Sequence, residues 1–332
     1  MSSLTTRYLG LELDHPIVPG ASPMGDDIDQ VLRLEDAGAC AIVMRSIFEE
    51  QVTLDQMAAH RHFDGASDAE ARSMMPDTDV YALGLDAYLD QIRRIRARTS
   101  LKVIGSINGS SPGGWTDYAR RVTSAGAHAL ELNLYEVASD PRMSAGDVEE
   151  RQLAVVREVT REVGLPIAVK LSPFYSSLPN FVQALEDVGA KGAVFFNRFY
   201  QADIDPLQLE AVRTLRLSSP EELLLRLRWL ALVSPRTRLQ LAASGGVHAA
   251  TDVVKAIMAG AQVVQVVSAL LKHGAAHLRA LITGLSQFLE EQEYPSLDVM
   301  RGNMSHARSP NPAAYERADY IQLLSGWHGP MR

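Results

Sequence analysis

Residues 239–274, LQLAASGGVHAATDVVKAIMAGAQVVQVVSALLKHG, predict a strand, a glycine turn, a helix and a second strand. The short apolar run Leu239–Ala243 stops at the turn. The segment Ala249–Met258 places its apolar residues at helical spacing, and Val263–Val267 indicates a second buried strand. A strand–helix–strand unit of this length is typical of parallel α/β proteins.

The turn between these elements, Ser244-Gly245-Gly246, is typical of an anion site. Two glycines let the backbone turn sharply with its N–H groups exposed, and the next helix directs its positive end to the same place. In a (β/α)₈ barrel the loops after strands seven and eight often hold a phosphate together, and Ser268 closes the second strand. A glycine pair is also typical of an ordinary turn. The interpretation therefore depends on six further strands.

The rest of the chain supplies those six strands, separated by helical patterns. The predicted strands are His15–Ala21, Cys40–Met44, Lys102–Ile107, Ala129–Leu134, Pro166–Leu171 and Gly192–Asn197. The predicted helices are Ile28–Asp36, Leu85–Arg98, Trp115–Ser124, Asp147–Val163, Leu178–Val188, Glu221–Val233 and Ala275–Glu290. Eight alternations with no composition break predict a single domain, an α/β (β/α)₈ TIM barrel. No G-x-G-x-x-G opens a helix, which argues against a dinucleotide-binding fold.

The predicted barrel spans about residues 12–291, and residues 292–332 form a tail. Two polar segments, at about 49–79 and 198–219, are too long for plain connections, so we interpret them as excursions over the carboxyl-terminal face. Short turns are expected in the tail, with a short helix near Ala313–Leu324.

Composition excludes several classes of protein. Of 332 residues, 46% are hydrophobic and 22% are charged, as in an ordinary globular protein, and the formal net charge is −8. The acidic balance argues against nucleic acid and anionic membrane surfaces as partners. No apolar run reaches about 18 residues, and the first residues lack a signal pattern. The one cysteine, Cys40, excludes an internal disulfide, so a cytoplasmic location is expected.

Small and polar residues stand at the carboxyl ends of the predicted strands, where barrel enzymes carry their chemistry. Amides, two cations, hydroxyls and exposed backbone suit a flat heterocycle tied down by a phosphate, as in flavin mononucleotide, FMN. Nothing among them has the spacing of a metal site, and no metal is predicted. These residues are Gly20, Ala21, Ser22, Arg45, Ser46, Asn108, Asn133, Lys170, Asn197, Ser244, Gly245, Gly246 and Ser268.

Several of these residues have a structural alternative. Lys170 lies inside the apolar strand IAVKL, where an unpaired ammonium is costly to bury, so a partner is expected. Glu131 alternates with Asn133 along its strand and is expected to face the same interior. Asn133 and Asn197 have the alternative of capping a loop.

Four stretches carry a resemblance to a known family. They are VKLSPFYS at 169–176, residues 244–271 of the opening stretch, ALELNL at 129–134 and NRFYQADID at 197–205. Over about residues 5–290 the chain resembles the class 1 dihydroorotate dehydrogenases, which are FMN-containing (β/α)₈ barrels. It is most similar to their divergent dihydroorotate dehydrogenase-like branch.

The resemblance implies a role for each strand-end residue. Gly20, Ala21, Ser22, Ser46 and Asn108 would contact FMN, and Ser244, Gly245, Gly246 and Ser268 would take its phosphate. Lys170 would stabilise negative charge on the reduced flavin and so acts in catalysis. Asn133 would contact flavin and substrate, and Asn197 the substrate.

Arg45 would also contact both flavin and substrate, but it stands where the family usually carries lysine. Arginine keeps the charge, changes the donor geometry and cannot lose its proton. A pair with Glu49 or Glu50 is the structural alternative.

The loop after Asn133 departs further from the family pattern. Counted without gaps, Glu136 occupies the position of the catalytic base, and Ala138 replaces a substrate-binding asparagine. Glu136 is the first candidate base, if an apolar pocket raises its pKa. Ser139 and Tyr135 are the next candidates.

The resemblance thus implies an FMN-dependent oxidoreductase that acts on a CH–CH bond, as in the oxidation of dihydroorotate to orotate in pyrimidine biosynthesis. One alternative is an FMN redox protein with a different substrate or a protein electron-transfer partner. Another is a flavin-free barrel lyase or isomerase that binds a phosphorylated metabolite. A dihydropyrimidine-like small molecule is the expected substrate, and related proteins are commonly homodimers.

Overall fold

A ring of parallel strands forms the centre of the molecule. The computed structural model describes residues 3–48, 84–108, 112–134, 136–198, 203–212, 214–316, 321 and 325–326. In chain order the strands are β1 (Thr6–Tyr8), β2 (Leu11–Leu13), β3 (Ile17–Pro19), β4 (Ala41–Val43), β5 (Ile47–Phe48), β6 (Lys102–Asn108), β7 (Ala129–Asn133), β8 (Ile167–Leu171), β9 (Gly192–Phe195), β10 (Asp203–Asp205), β11 (Glu210–Val212), β12 (Gln240–Ser244) and β13 (Val263–Val266).

Eight of these strands follow one another around the ring in the order β3-β13-β12-β9-β8-β7-β6-β4, and every pairing is parallel. At the seam, β3 and β4 are neighbours in space, but no ladder joins them in the described part of the chain. The predicted (β/α)₈ TIM barrel is confirmed.

Helices surround the ring and connect its strands. They are α1 (Ile28–Asp36), α2 (Leu85–Arg98), α3 (Pro112–Ser124), α4 (Ala145–Glu162), α5 (Leu178–Asp187), α6 (Leu223–Val233), α7 (Ala250–Ala259), α8 (Ser268–His273), α9 (Ala276–Glu291) and α10 (Leu297–Met300). No described helix is both long enough and apolar enough to cross a bilayer.

The alternation of side chains along each strand builds two separate cores. In β8, Ala168 belongs to the cluster inside the barrel, while Ile167 and Val169 belong to the cluster between the strands and the helices. Because side chains alternate along a strand, Lys170 points inward like Ala168. The side chain of Lys170 therefore lies inside the barrel.

The antiparallel hairpin β1–β2 closes the amino-terminal end of the barrel, an element that the sequence pattern does not predict. Tyr8, Leu9 and Leu13 are almost completely buried against Val18 and the other inward-facing apolar residues. Polar side chains line the opposite half of the interior, so a site is expected at the carboxyl-terminal end of the barrel.

Three other segments differ from expectation. Ser268 begins the short helix α8 instead of closing a strand, and the 198–219 excursion carries the hairpin β10–β11. The excursion predicted at 49–79 lies outside the described residues. In the tail, α10 precedes a 3₁₀ turn at Pro312–Tyr315, and most of the predicted helix near Ala313–Leu324 falls outside the described residues.

Candidate active site

A buried ion pair lies on the barrel axis. Lys170 on β8 places its Nζ 3.3 Å from Oε1 of Glu131 on the neighbouring strand β7, and their side chains are 7% and 1% exposed. Gln265 of β13 donates from Nε2 to Oε2 of Glu131 at 2.6 Å. The expected partner of Lys170 and the inward orientation of Glu131 are both confirmed. Since a buried charge is tolerated only with partners, this arrangement keeps an ammonium inside the barrel.

A layer of hydroxyl and amide groups lies toward the carboxyl ends of β6 and β7. Oγ of Ser46 lies 2.7 Å from Oγ of Ser106 and accepts a bond of 3.4 Å from Nδ2 of Asn133. The hydroxyl of Tyr88 on α2 donates to the carbonyl of Ser106 and accepts from its N–H. These bonds fix the backbone of β6 where Asn108 ends the strand.

Three amide atoms in this region are buried without a hydrogen-bond partner among the described residues. They are Nδ2 of Asn108, Oδ1 of Asn133 and Oε1 of Gln265. Buried polar atoms in native proteins are nearly always paired, so one free donor and two free acceptors indicate a site for a ligand that carries both kinds of group. A flavin ring has that donor and acceptor pattern.

The turn Ser244-Gly245-Gly246 adopts the conformation expected of a glycine turn. Both glycines have positive φ, +94° and +79°, which favours glycine. A Cβ on Gly246 would stand 2.4 Å from the backbone nitrogen of Leu223. Buried Arg226 donates from Nε to the carbonyl of Ser244 at 2.8 Å, and burial lowers its pKa. The turn is thus held against the start of α6.

Ser218, which the sequence pattern does not single out, links the glycine turn to Ser268. Its hydroxyl donates to Oγ of Ser268 at 2.8 Å and accepts from the N–H of Gly246 at 3.2 Å. The ring of His248 donates from Nε2 to the carbonyl of Ser218 at 2.7 Å. These hydroxyl and N–H groups bond to one another beside the residues predicted to hold a phosphate. No sequence signal marks Ser218.

Arg45 follows β4 and pairs with an acid from the turn after β3. Its Nη2 lies 3.1 Å from Oδ2 of Asp26, with side chains 29% and 15% exposed. Asp26 was not a predicted site residue. The alternative partners Glu49 and Glu50 lie outside the described residues.

The loop after β7 carries the candidate bases. Glu136 forms an ion pair with Arg151 of α4, and their side chains are 33% and 46% exposed. Glu136 therefore faces a guanidinium among the described residues, and its assignment as the base, conditional on an apolar pocket, stays a prediction. Ser139 is exposed on the same loop, while Tyr135 lies outside the described residues.

The remaining predicted residues follow the first and sixth barrel strands. A Cβ on Gly20 would stand 2.9 Å from Cγ2 of Val267 and 3.1 Å from Cβ of Gln265, so this position has room for glycine alone. Ala21 and the buried Ser22 come directly after it. Asn197 is half-buried past the end of β9, and its N–H donates to the carbonyl of Leu171 at 2.7 Å.

A family model described as dihydroorotate dehydrogenase matches residues 3–289. A Thermoplasma acidophilum protein named dihydroorotate dehydrogenase B (NAD(+)), catalytic subunit, is 27% identical over 315 residues, covering 91% of this chain and 99% of the relative. A protein of the same name from Halalkalibacterium halodurans is 26% identical over 273 residues, 80% of this chain and 87% of the relative. One from Pyrococcus abyssi is 24% identical over 308 residues, 90% and 98% of the two chains.

Proposed function

Because the chain belongs to the dihydroorotate dehydrogenase family, we propose that it is an FMN-dependent enzyme that oxidises dihydroorotate to orotate in pyrimidine biosynthesis. The observation that carries the proposal is the buried Lys170–Glu131–Gln265 group together with three unpaired amide atoms, one of which belongs to Gln265 itself. An ammonium held in a dry interior suits a ring on which negative charge develops. A flavin-free lyase or isomerase does not fit a family of flavin-dependent oxidoreductases.

The residues at the carboxyl ends of the strands fit FMN. The amides of Asn108, Asn133 and Gln265 would hydrogen-bond its ring, and Gly20 leaves room for the side chain of Gln265 beside it. Its phosphate would lie at Ser268 and the turn of residues 244–246, where N–H groups and hydroxyls converge. When bound, FMN supplies the two-electron acceptor for the hydride that the substrate loses.

The chain's own residues would orient the substrate and remove its proton. Asn133, Asn197 and Arg45 offer amide and guanidinium groups to a ring that carries carbonyls and N–H groups. The loop after β7 would bring the base, with Glu136 as the first candidate and Ser139 and Tyr135 as the next. Arg151 contacts Oε1 of Glu136, so Oε2 is the oxygen that would accept the proton.

Two measurements test this function. A purified protein with flavin absorption and one FMN per chain would support the cofactor assignment, and a colourless protein that does not take up FMN would refute it. Anaerobic mixing with dihydroorotate should then bleach the flavin. A flavin that stays oxidised would exclude dihydroorotate as the substrate while leaving the cofactor in place.

The base is tested by the same reductive reaction in two variants, Glu136→Gln and Ser139→Ala. A general base contributes about 10²- to 10⁴-fold, so the variant that removes it should reduce its flavin at least about 100-fold more slowly. The other variant serves as its control. If both variants react at the wild-type rate, neither residue is the base, and Tyr135→Phe tests the remaining candidate of this loop.

A second candidate is an FMN redox protein that passes its electrons to a protein partner or takes another substrate. Two observations favour it: Glu136 is occupied by Arg151, and Ala138 offers no amide. The relatives described above are named catalytic subunits, and we propose that this chain, like them, is one subunit of a larger enzyme. A flavin that stays oxidised with dihydroorotate but is reduced by another donor would favour this candidate.

A further inference from the structure

Asp26 has a carboxylate that the local fold does not need. It ends the 3₁₀ turn at Pro23–Gly25, directly after β3, and its backbone N–H donates to Pro23 at 3.0 Å. The helix α1 that follows is capped by the next residue, Asp27, whose Oδ1 accepts from the N–H of Asp29. Capping therefore does not explain an acid at position 26.

One oxygen of this carboxylate has a partner, and the other has none among the described residues. Oδ2 contacts Arg45, whereas Oδ1 is buried and has no hydrogen-bond partner among the described residues. Burial raises the pKa of Asp26, and Arg45 opposes that shift. A buried carboxylate oxygen ordinarily accepts from a donor, so a missing donor indicates that something else supplies it.

The pair lies beside the amides of the candidate site. Ser46, the residue after Arg45, bonds to Ser106 and accepts from Asn133, which ends β7. From the other side, Nε2 of Gln91 on α2 donates to the carbonyl of Gly25 and holds the turn that carries Asp26. Asp26 and Arg45 therefore occupy a fixed position next to the region proposed to hold the substrate.

The loop after β7, to which the resemblance assigns a substrate contact, has no amide at position 138. Ala138 stands where the resemblance to the family leads one to expect a substrate-binding asparagine, and an amide combines an acceptor oxygen with N–H donors. Asp26 and Arg45 together offer the same two functions, a free carboxylate oxygen and a guanidinium. The side chains of Asp26 and Arg45 are 15% and 29% exposed, but Oδ1 of Asp26 is itself buried, so it can accept only from a donor that enters the site.

We propose that Asp26 and Arg45 replace the missing amide and select the substrate: Asp26 Oδ1 accepts from a ring N–H, and Arg45 donates to the neighbouring ring carbonyl. This inference deepens the proposed function and rests on it. It assigns a specificity-determining role to Asp26 and identifies the recognised group as the N–H and C=O pair of a dihydropyrimidine ring.

The first test measures the affinity of the FMN-loaded protein for orotate by the change that binding causes in the flavin spectrum. We expect Asp26→Ala and Arg45→Met to weaken binding by about 10- to 100-fold, the usual effect of losing a charge-assisted hydrogen bond. Asp26→Asn keeps an acceptor oxygen and should recover most of the affinity. Asp27→Asn alters the adjacent acid and should bind orotate as the wild type does.

The second test separates recognition from a structural role. Orotates methylated at N1 or at N3 each lack one ring N–H. One of the two should bind the wild type weakly and should lose no further affinity in Asp26→Ala, because the bond is already absent. If Asp26→Ala weakens orotate and both methylated forms by equal factors, Asp26 reads no N–H and the proposal is wrong.

The outcomes also distinguish this inference from the proposed function. A protein without FMN, or one whose flavin neither responds to orotate nor is reduced by dihydroorotate, refutes the proposed function and the inference with it. A protein that dihydroorotate reduces, but whose Asp26→Ala variant binds orotate normally, refutes the inference alone.

Discussion

At the scale of single residues, Lys170 and Glu131 place two opposite charges inside the barrel. Taking a charge out of water is costly, and only its partner offsets the cost. Lys170 contacts Oε1 of Glu131, and Gln265 donates to the other oxygen, Oε2. Gln265 therefore holds the partner of Lys170 in place. The pair is thus one unit for stability and for the proposed chemistry.

We expect Lys170→Met to lower the free energy of unfolding by about 3–5 kcal/mol, because it leaves the Glu131 carboxylate buried and unpaired. The double variant Lys170→Met/Glu131→Gln should recover most of that loss. Urea unfolding measures both. Arg120→Met, which breaks an exposed pair with Glu162, is the control and should cost less than about 1 kcal/mol. A double variant no more stable than the single one would contradict this account.

At the scale of elements, strong periodicity and clear caps made some segments predictable. The bounds of α1 and α2 are those the sequence predicts, and Asp27 caps α1 as the N-cap rule leads one to expect. The hairpin β1–β2 was missed because strands of three residues show no period. Helix α8 was missed because six residues are too few to show a helical period.

Some residues of the candidate site were likewise predictable from the sequence, and others were not. Lys170 was recognisable because a charge interrupts an apolar strand, and the inward orientation of Glu131 followed from the alternation along β7. Asp26, Ser218 and Gln265 were not found, because their roles depend on contacts between segments far apart in the chain. Sequence order cannot show that Ser218 reaches Gly246.

The glycine turn after β12 permits a sharp prediction. Gly246→Ala combines a positive φ with a Cβ placed 2.4 Å from the backbone nitrogen of Leu223. We expect it to lower the free energy of unfolding by more than about 1 kcal/mol and to reduce the FMN content. Gly164→Ala, with nothing within 4 Å of the new Cβ, is the control. Wild-type stability and FMN content in Gly246→Ala would show that the turn can move.

His15 couples the start of β3 to the turn after α1 and makes stability depend on pH. Its Nε2 donates to Gly38 at 2.7 Å, Nδ1 accepts from the N–H of Ile17, and burial lowers the pKa of the ring. The unfolded chain therefore takes up the proton first, near pH 6.5, and folding stability is lost as the pH falls from about 6.5 to the lowered pKa.

We accordingly expect urea midpoints of the wild type to fall between pH 7 and pH 5 more steeply than those of His15→Asn, which does not titrate. The variant should be the less stable protein at pH 7, because it loses the bonds of the ring. Other histidines contribute to both proteins and cancel in the comparison. Equal slopes would mean that His15 does not carry the effect.

At the scale of the whole molecule, the tail holds the outer layer together. The N–H groups of Gly302 and Met304 donate to carbonyls at the end of α7, at Ile257 and Met258, and His306 donates to Ala231 of α6. Arg301 donates to Thr6 in the amino-terminal hairpin at 2.8 Å. A segment with no evident role in the sequence thus joins the amino-terminal hairpin to α6 and α7.

Met300 anchors this tail and is completely buried. We expect Met300→Ala to lower the free energy of unfolding by about 2–5 kcal/mol, as other large-to-small core changes do. Val299, its neighbour on α10, is 54% exposed, and Val299→Ala should change stability by no more than about 0.5 kcal/mol. Similar losses in the two variants would mean that the tail is not packed as described.

The seam between β3 and β4 affects how long the first barrel strand stays unpaired during synthesis. Among the described strands, β3 pairs with β13 alone, and residues 17 and 264 face each other in that ladder. At about 5–20 residues per second, a ribosome needs roughly 12–50 s to pass from one to the other. For that time the first strand of the barrel has no partner, and its edge is open to other nascent chains. Slow synthesis or a shortage of chaperones should therefore increase association between incomplete chains.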